Sequence, residues 1–402
     1  MSADIDEKNI LAEFDLVIAG GGMAGSTLAW ALSQANPSLT IAVIEQQAKV
    51  EPGQVNQASF DSRSIALAAA SVDLLQQWHL WPTLVANACA IKHVKVSDRG
   101  HFGKVSLQQK DYAKDALGYV LEVEHLGNLL RAKLANCPQI TWFAPTTISS
   151  LTPEQHWQLV QLDNGQQLRC KLLVIAEGGA SASRKLAGIN MTQQHYGQSA
   201  VITNLALESK HDFIAFERFT QHGPIALLPL TKQRYSLVYT TTDTHAKQLM
   251  QLSEPEFVEH MQQAFGYRAG VFSACGQRAM YPLSLGMADA IVQHRVALLG
   301  NSLHNLHPIA GQGFNLAMRD IAKLVQLLSQ TDDPGSYKLL RAYEMARQED
   351  IKQVATATDA LVRLFSNQSR ICALARNLGL LALLLCKPLK HPLAKHAMGY
   401  RS

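Results

Sequence analysis

The sequence predicts an α/β fold in which a Rossmann-like dinucleotide-binding domain is interrupted by an inserted mixed β-sheet domain and followed by C-terminal helices. Two observations lead to this prediction. Apolar runs of strand length end in glycine-rich turns that open helix-like segments near residues 20 and 300, and short β-like runs dominate the stretch between. We expect six segments: 1–90, 121–195 and 286–335 in the dinucleotide-binding domain, 91–120 and 196–285 in the inserted substrate domain, and 336–402 in the C-terminal helical segment.

The first glycine-rich turn has the pattern of a nucleotide-binding turn. A strand-like run ends at Gly20, the pattern G-x-G-x-x-G continues through Gly22 to Gly25, and a second strand-like run at 40–44 ends at Glu45. The first glycine permits a tight turn, the second lets backbone approach a pyrophosphate, and the third lets helix and strand pack closely. The acidic residue binds the ribose hydroxyls of an adenosine. The alternative is a glycine-rich strand–helix turn of an unrelated α/β domain.

A longer polar loop connects a strand to a helix near residue 300. The apolar run 296–299 ends at Gly300, and Pro308, Gly311 and Gly313 precede apolar residues at helical spacing. Glycines at the start of a helix leave backbone N–H groups available to a flat, electron-rich ligand. The loop therefore predicts a ligand-binding segment rather than a plain turn.

A third strand end carries the same kind of sequence. The run 172–176 leads into Glu177 and Gly178, and Arg184 follows in the same polar cluster. Ligands of open α/β sheets gather at the carboxyl ends of the parallel strands. We therefore expect the three turns to converge on one bound dinucleotide.

Periodicity predicts the segments between the turns. Residues 61–67 are expected to lead into a helix that ends near residue 78, with Arg63 at the loop–helix junction, and alternation predicts strands at 93–96 and 104–107. Four aromatic residues of the inserted sheet either line an apolar pocket or belong to its core: Phe216, Phe219, Tyr235 and Tyr239.

The composition is that of an ordinary globular protein. The formal net charge of +4 is too small to indicate a nucleic-acid partner, and the six cysteines are scattered without a C-x-x-C pair. This usage fits reduced thiols and predicts no metal site. No apolar run has the length of a membrane span, so we expect a soluble, cytoplasmic protein. The apolar segment 371–386 and its basic flank either close the core or lie on the surface of the inner membrane.

Taken together, these motifs resemble those of the group A FAD-dependent aromatic hydroxylases. The likeness covers most of the chain and rests on the 20–25 turn, a Glu-Gly pair at 177–178 where the family has Asp-Gly, and a Gly-Asn pair at 300–301 where it has Gly-Asp. The run 306–316 is similar to that of the ubiquinone-biosynthesis hydroxylases. The asparagine at position 301, in place of the usual aspartate, resembles the sequence of the 2-polyprenyl-6-methoxyphenol hydroxylase branch of that group.

The resemblance implies a para-hydroxybenzoate-hydroxylase-like fold and a monooxygenase reaction. NADPH or NADH would reduce FAD transiently, and the reduced flavin would use O2 to hydroxylate a polyprenylated methoxyphenol. A substrate with an isoprenoid tail implies contact with membrane lipid or a lipid-carrying partner. A multi-protein biosynthetic complex and a homo-oligomer are further expectations. The alternatives on the same scaffold are a flavin-dependent reductase of isoprenoid double bonds and a non-catalytic FAD-bound scaffold.

The expected site residues follow from the motifs and from the resemblance. Arg63 would lie beside FAD and Asn128 would touch it, and for both the alternative is a solvated side chain. His304 and His307 would assist proton movement while Pro308 fixes the loop over the flavin, although both histidines also fit hydrogen-bonded loop residues. The expected cofactor contacts are Gly20, Gly22, Met23, Ala24, Gly25, Glu45, Arg63, Asn128, Glu177, Gly178, Arg184, Gly300, Asn301, Gly311, Gln312, Gly313, Phe314 and Asn315.

Overall fold

The strands of the protein form three sheets. The computed structural model describes residues 10–48, 63–98, 104–305, 312–366, 394–395 and 398–400. The strands of these ranges are β1 (Ile10–Ala19), β2 (Ile41–Ile44), β3 (Ser64–Ala68), β4 (Cys89–Ile91), β5 (His93–Asp98), β6 (Lys104–Gln108), β7 (Gly118–Glu122), β8 (Ile140–Phe143), β9 (Ile148–Pro153), β10 (Gln158–Leu162), β11 (Gln167–Ile175), β12 (Met191–Leu207), β13 (Ile214–Thr220), β14 (Gly223–Leu230), β15 (Arg234–Thr242), β16 (Phe272–Cys275), β17 (Ala279–Ala288), β18 (Val292–Gln293), β19 (Val296–Leu298) and β20 (His304–Asn305).

The helices pack around these sheets. They are α1 (Met23–Ala35), α2 (Ala69–Gln77), α3 (Trp81–Leu84), α4 (Val123–Leu134), α5 (Ala182–Leu186), α6 (Asp243–Gln251), α7 (Glu254–Phe265), α8 (Gln312–Leu328) and α9 (Tyr337–Ser366). Within the described ranges, none of them combines the length and the hydrophobicity that a bilayer crossing requires.

The first sheet is mostly parallel and has the order β18-β19-β11-β1-β2-β8, with β10 paired to β11 and β9 paired to β10. Strands β19, β11, β1, β2 and β8 are parallel to one another, whereas β18 and β10 are antiparallel to β19 and β11. All four residues of β2 are buried, as expected for a strand covered on both faces. Helix α1 contacts α4 and α8. The tight hairpin between β10 and β11 has Gly165 at φ +87°, a conformation that favours glycine.

The second sheet has nine strands in the order β20-β17-β12-β15-β14-β13-β5-β6, with β16 paired to β12. Helices α6 and α7 cover one of its faces and share a core with it. Helix α7 begins with a capping box of Ser253 and Glu256 and ends at Gly266, whose φ is +83°. The four aromatic residues of this sheet are buried core residues, with exposed fractions of 1–6% (Phe216, Phe219, Tyr235 and Tyr239).

A small third sheet, in the order β3-β7-β4, corrects one local expectation. Residues 64–68 form a strand, and the helix begins only at Ala69. The register from Ser64 opposite Glu122 to Ala68 opposite Gly118 satisfies the backbone of this segment. Tertiary pairing therefore overrides the helical propensity of its alanines and leucines, and Arg63 lies at a loop–strand junction.

Helix α9 spans Tyr337–Ser366. The apolar segment 371–386 lies outside the described residues. The predicted strands 93–96 and 104–107 are present as β5 and β6. The six domain boundaries stay predictions. The second sheet takes its strands from 93–108, 191–288 and 304–305, so its last strand lies within the expected 286–335 segment.

Candidate active site

The three glycine-containing turns lie side by side at one edge of the parallel sheet. They follow β1, β11 and β19, which are adjacent and parallel. Contacts also join the turns directly. The Oγ of Ser302 accepts a hydrogen bond from the Gly178 N–H at 3.0 Å and donates one to the Gly178 carbonyl at 3.2 Å. The structure therefore brings together segments that are about 120 to 280 residues apart in the chain.

The three glycines of the G-x-G-x-x-G pattern have different surroundings. A Cβ on Gly25 would lie 1.9 Å from the Gly20 carbonyl oxygen, so helix α1 and strand β1 could not pack as they do. A Cβ on Gly20 would lie 2.8 Å from the backbone of Ala176. Gly22 differs, because no atom of the described residues lies within 4 Å of the position its Cβ would take. Among these three glycines it is the one that faces open space within the described part of the chain.

The start of helix α1 fits a bound pyrophosphate. Gly22 is its N-cap, no side chain caps the first turn, and the first turn contains no acidic residue. Uncapped N–H groups at a helix N-terminus attract anions. Met23 and Ala24, which were also expected to contact the cofactor, are half-buried and pack against the core of the first sheet.

Glu45 lies beside this turn at the end of β2. One carboxylate oxygen accepts the Gly21 N–H at 2.7 Å, and the other accepts the Gln47 N–H at 2.9 Å. A carboxylate has about four acceptor positions, so the two oxygens retain capacity for further donors. The side chain is thus fixed in orientation next to the phosphate-binding turn, where ribose hydroxyls of a dinucleotide would reach it.

The second turn is held by its own side chains. The Glu177 carboxylate accepts hydrogen bonds from the Ser181 hydroxyl at 2.7 Å and the Ser183 N–H at 3.1 Å, so it faces the start of α5. Arg184 is 3% exposed and donates to the carbonyls of Gly179 at 3.2 Å and Ser302 at 3.1 Å. Burial lowers the pKa of the Arg184 guanidinium below its usual value. These contacts give Arg184 a structural role as a link between the second and third turns, and its expected cofactor contact stays a prediction.

Asp320 of helix α8 holds the third turn through a hydrogen bond to its backbone. Gly300 has a φ of +60°, a conformation that favours glycine, and its N–H donates to Asp320 Oδ2 at 3.2 Å. His304 Nε2 lies 2.8 Å from the same oxygen, and both side chains are 0% exposed. Asn301 is exposed at the surface of the turn. The expected proton-transfer role of His304 stays a prediction, and the structure shows its imidazole bound to Asp320.

Asp320 belongs to a buried charge network that connects α8 with α9. Arg347 donates from Nε to Asp320 Oδ1 at 2.7 Å and is also hydrogen-bonded to Asp350. Arg319 donates to Asp350 at 2.9 Å. Burial alone would raise the pKa of Asp320, but the charges and hydrogen bonds of His304 and Arg347 outweigh burial and lower it. The network stabilises an ionised carboxylate under the third turn.

The start of helix α8 continues the third turn. Among the described residues, no atom lies within 4 Å of the position that a Cβ on Gly313 would take, and Phe314 packs against the core. Asn315 is 2% exposed: its Oδ1 accepts the Ala68 N–H at 2.8 Å and its Nδ2 donates to the Ala66 carbonyl at 2.7 Å. It therefore joins α8 to the end of β3. His307, Pro308 and Gly311 lie outside the described residues, as does the side chain of Gln312.

The last two expected residues lie on other elements. The Arg63 guanidinium is 5.3 Å from the centre of the Tyr281 ring on β17, a cation–π distance. Arg63 directly precedes β3, so this contact joins the third sheet to the second. Asn128 on α4 accepts a hydrogen bond from Arg131 at 2.6 Å. The predicted cofactor contacts of both residues remain to be tested.

A family model described as an FAD binding domain matches residues 13–358. The chain belongs to this FAD-binding family. A ubiquinone hydroxylase, UbiL, of Rhodospirillum rubrum is 36% identical over 96% of the chain and 89% of its own length. The 3-demethoxyubiquinol 3-hydroxylase of Escherichia coli is 30% identical over 96% of the chain and 98% of its own length. The resemblance to the ubiquinone-biosynthesis hydroxylases is therefore confirmed, and the flavoprotein is an FAD-dependent aromatic monooxygenase.

Solved structures agree with the fold. The probable FAD-dependent monooxygenase PqsL of Pseudomonas aeruginosa superposes with a TM-score of 0.76 at 22% identity, covering 92% of this flavoprotein and 99% of PqsL. This similarity confirms the predicted para-hydroxybenzoate-hydroxylase-like fold. The open, uncapped turn at Gly22 agrees with FAD as the cofactor.

The sequence reasoning missed the residues that hold the turns of the flavoprotein together. Nothing in the local sequence indicates that the Asp320 carboxylate accepts a hydrogen bond from the Gly300 N–H. Ser302 and Arg347 were not singled out either. Their partners lie 124 residues away for Ser302 and 27 residues away for Arg347. Neither distance matches the short spacing of a helix or a hairpin that sequence periodicity can detect.

Proposed function

We propose that this flavoprotein hydroxylates the aromatic ring of a prenylated methoxyphenol on the route to ubiquinone, with NADPH or NADH as a transient reductant. The convergence of three strand-ending turns is the observation that carries the proposal, because it builds one dinucleotide site beside the second sheet. The names of the Rhodospirillum and Escherichia relatives support the substrate class. The 2-polyprenyl-6-methoxyphenol branch is the specific assignment that the motifs favour.

The residues of the first turn would hold the adenosine half of FAD. The N–H groups at the start of α1 would bind the pyrophosphate in the open space beyond Gly22, where a side chain would obstruct it. Glu45 would accept the ribose hydroxyls with its remaining acceptor positions.

The third turn and the start of α8 would hold the flavin half. Backbone N–H groups near Gly313 would stabilise negative charge on the flavin, because the helix dipole is positive at that end. Asp320 holds the Gly300 backbone in place for this purpose. When bound and reduced, FAD supplies the activation of O2, while the chain positions the ring and excludes water.

The reductant and the partners of the enzyme form the finer part of the proposal. The sequence contains no second G-x-G-x-x-G, which supports a nicotinamide that binds transiently rather than in its own Rossmann domain. An isoprenoid tail requires delivery from lipid, so we assign a peripheral contact with the inner membrane to the apolar segment 371–386. Assembly into a multi-protein complex and homo-oligomerisation are also part of this proposal.

A reconstitution experiment tests the function. Purified protein is supplied with FAD, with NADPH or NADH, and with 2-methoxy-6-farnesylphenol, and oxygen consumption and product mass are followed. We expect a product one oxygen atom heavier than the substrate, formed with stoichiometric use of O2 and reductant. A reductase would instead yield a product two hydrogen atoms heavier without O2, and a scaffold would bind FAD without turnover. Either result, or protein that takes up no FAD, would refute the proposal.

A further inference from the structure

Glu217 occupies an unusual position in the second sheet. It lies on β13, where side chains alternate between the two faces. Its neighbour Phe216 points toward α7 and contacts the Phe265 ring at a centroid distance of 5.5 Å. Glu217 therefore lies on the opposite face. On that face Ala215, two residues earlier, packs against Ile91 and Val120 of the third sheet.

We call this face, opposite α6 and α7, the inner face of the second sheet. One of its edges meets the third sheet, where Arg234 on β15 pairs with Glu122 on β7 at 3.0 Å. Its other edge meets the candidate flavin site. The Tyr281 ring on β17 contacts the Arg63 guanidinium, and β17 also pairs with β20, the strand that directly follows the third turn. The inner face therefore lies along the space between the second sheet and the FAD-binding turns.

The neighbours of Glu217 on the inner face are apolar. The residues directly opposite it are Val96 on β5 and Ala226 on β14. The same row continues through Val238 and Ile202 on the next two strands. This row is an apolar surface that contains one carboxylate, and it suits an aromatic ring with a hydrocarbon tail.

The Glu217 carboxylate forms no hydrogen bond or ion pair with another described residue. Burial raises its pKa to about 7. Other polar groups on the inner face are distributed away from it: Asp98 lies two residues further along the neighbouring strand, Arg234 is neutralised by Glu122, and Tyr281 lies four strands away. Glu217 is half-buried, so its carboxylate can be reached from the space beside the inner face. A carboxylate with unused acceptor positions in an apolar surface can bind a ligand that supplies a donor.

We propose that Glu217 is a catalytic residue that binds the phenolic hydroxyl of the substrate and accepts its proton during hydroxylation. This inference rests on the proposed function. The phenol O–H donates a hydrogen bond to the ionised carboxylate. The ring carbon takes one oxygen atom of the O2 that reduced FAD would activate, the O–O bond breaks, and the second oxygen atom leaves as water. At the same time the phenol O–H bond breaks, its electron pair forms a C=O bond that increases the electron density on the attacked carbon, and the proton moves to Glu217. The attacked carbon then loses its hydrogen as a proton, which restores the aromatic ring. The carboxylic acid then returns the proton to solvent or to the product.

The basicity of Glu217 suits this step. An ordinary phenol has a pKa of about 10 and an ordinary glutamate about 4.3, so an exposed carboxylate is a weak base toward it. A carboxylate with a pKa of about 7 reduces that mismatch by more than two orders of magnitude and is still ionised at pH 8. General bases work best when their pKa lies near the working pH.

Binding to the oxidised enzyme tests the hydrogen bond without turnover. The affinities of 2-methoxy-6-farnesylphenol and its O-methyl ether are measured from changes in the flavin absorption spectrum at pH 8. We expect the wild type to prefer the phenol about tenfold or more, because only the phenol can donate to Glu217. Glu217→Leu should bind both probes equally, whereas Glu217→Gln, whose amide oxygen still accepts, should retain a preference. An unchanged preference in Glu217→Leu would overturn the inference.

Turnover separates proton acceptance from binding. Glu217→Gln should keep the wild-type KM within a few-fold but lose about 100-fold or more in kcat, since an amide cannot take a proton. The fall of wild-type kcat/KM below pH 7 should disappear in this variant. Glu208→Gln, which changes an exposed glutamate after β12, is the matched control and should behave like the wild type. FAD content and circular dichroism verify that each variant is folded.

The outcomes also separate the two proposals. Wild-type protein that makes no hydroxylated product refutes the proposed function, while the binding comparison still tests Glu217 by itself. Product formation by the wild type together with full kcat and an intact acid limb in Glu217→Gln refutes the role of Glu217 and leaves the proposed function standing.

Discussion

His304 and Asp320 form a fully buried pair, with 2.8 Å between the imidazole Nε2 and the carboxylate Oδ2 and neither side chain exposed. The same carboxylate binds the Gly300 N–H and the Arg347 guanidinium. Helix α9 adds a second contact to this region, because the buried Tyr343 hydroxyl donates to the Leu298 carbonyl at 2.9 Å. The backbone at the end of β19 is therefore positioned by side chains from two helices.

Removing Arg347 should destabilise the protein strongly. In Arg347→Met the Asp320 and Asp350 carboxylates keep their burial but lose a cationic partner, and breaking such a pair costs about 3–5 kcal/mol. Urea unfolding followed by circular dichroism measures the change. The same substitution at Arg341, which is 52% exposed and pairs with Glu344 on the same helix, should cost about 1 kcal/mol or less. Equal losses in the two variants would contradict a special role for the network.

The Asp320 contribution to stability should depend on pH. Its folded-state pKa lies below the usual value of 3.8, so protonation is harder in the folded than in the unfolded protein. The stabilisation is then complete above the unfolded pKa and is lost as the pH falls below 3.8 through the folded pKa. The difference in free energy of unfolding between wild type and Asp320→Asn should be constant from pH 7 to pH 5 and shrink in acid. A difference that grows on acidification would show the opposite sign.

Two alanine substitutions in the first turn should have opposite signatures. Gly25→Ala places a Cβ 1.9 Å from the Gly20 oxygen and should destabilise the apoprotein by about 3 kcal/mol or more. In Gly22→Ala the new methyl group meets no atom of the described residues within 4 Å, so the apoprotein should remain stable. Its FAD affinity should nevertheless fall at least tenfold, because the new methyl group lies where the pyrophosphate is expected. Thermal unfolding of apoprotein and fluorescence titration with FAD provide the two readouts. Unchanged FAD affinity in Gly22→Ala would refute the position of the phosphate.

Ser302→Ala should loosen the contact between the second and third turns. The substitution leaves the Gly178 N–H and carbonyl without the hydroxyl that they share, which costs about 1–3 kcal/mol. We expect a faster release of FAD, by about tenfold, measured by the recovery of flavin fluorescence after dilution. Ser149→Ala removes the hydroxyl of an exposed serine at the start of β9 and should leave the release rate unchanged. An equal effect of the two substitutions would mean that the bridge does not hold the site.

The sequence predicts the turns of the site well because their signals are local. An apolar run, a glycine and a helical period specify strand, turn and helix within about 25 residues, and the rule that ligands gather at strand ends predicts that the turns meet. The strand at 64–68 could not be recognised in this way. Its pairing with β7 depends on residues more than 50 positions away, whereas its local composition favours a helix.

The sequence alone could not identify Glu217 as a residue of the inner face, for a related reason. Alternation along β13 predicts that Glu217 and Phe216 point in opposite directions, but not which direction leads to the flavin site. That assignment depends on α7 packing over Phe216 and on the third sheet packing against Ala215. The burial that raises the pKa of Glu217 follows from the same tertiary arrangement.

The order of strands in the parallel sheet has a consequence for biogenesis. Strand β11 lies between β1, near the amino terminus, and β19, which is made about 280 residues later. During translation a partial sheet with β11 at its edge is therefore made first. The third turn of the candidate site is absent until β19 and α8 have been synthesised. Flavin binding at the three turns would therefore have to wait until synthesis has passed Leu328, the end of α8.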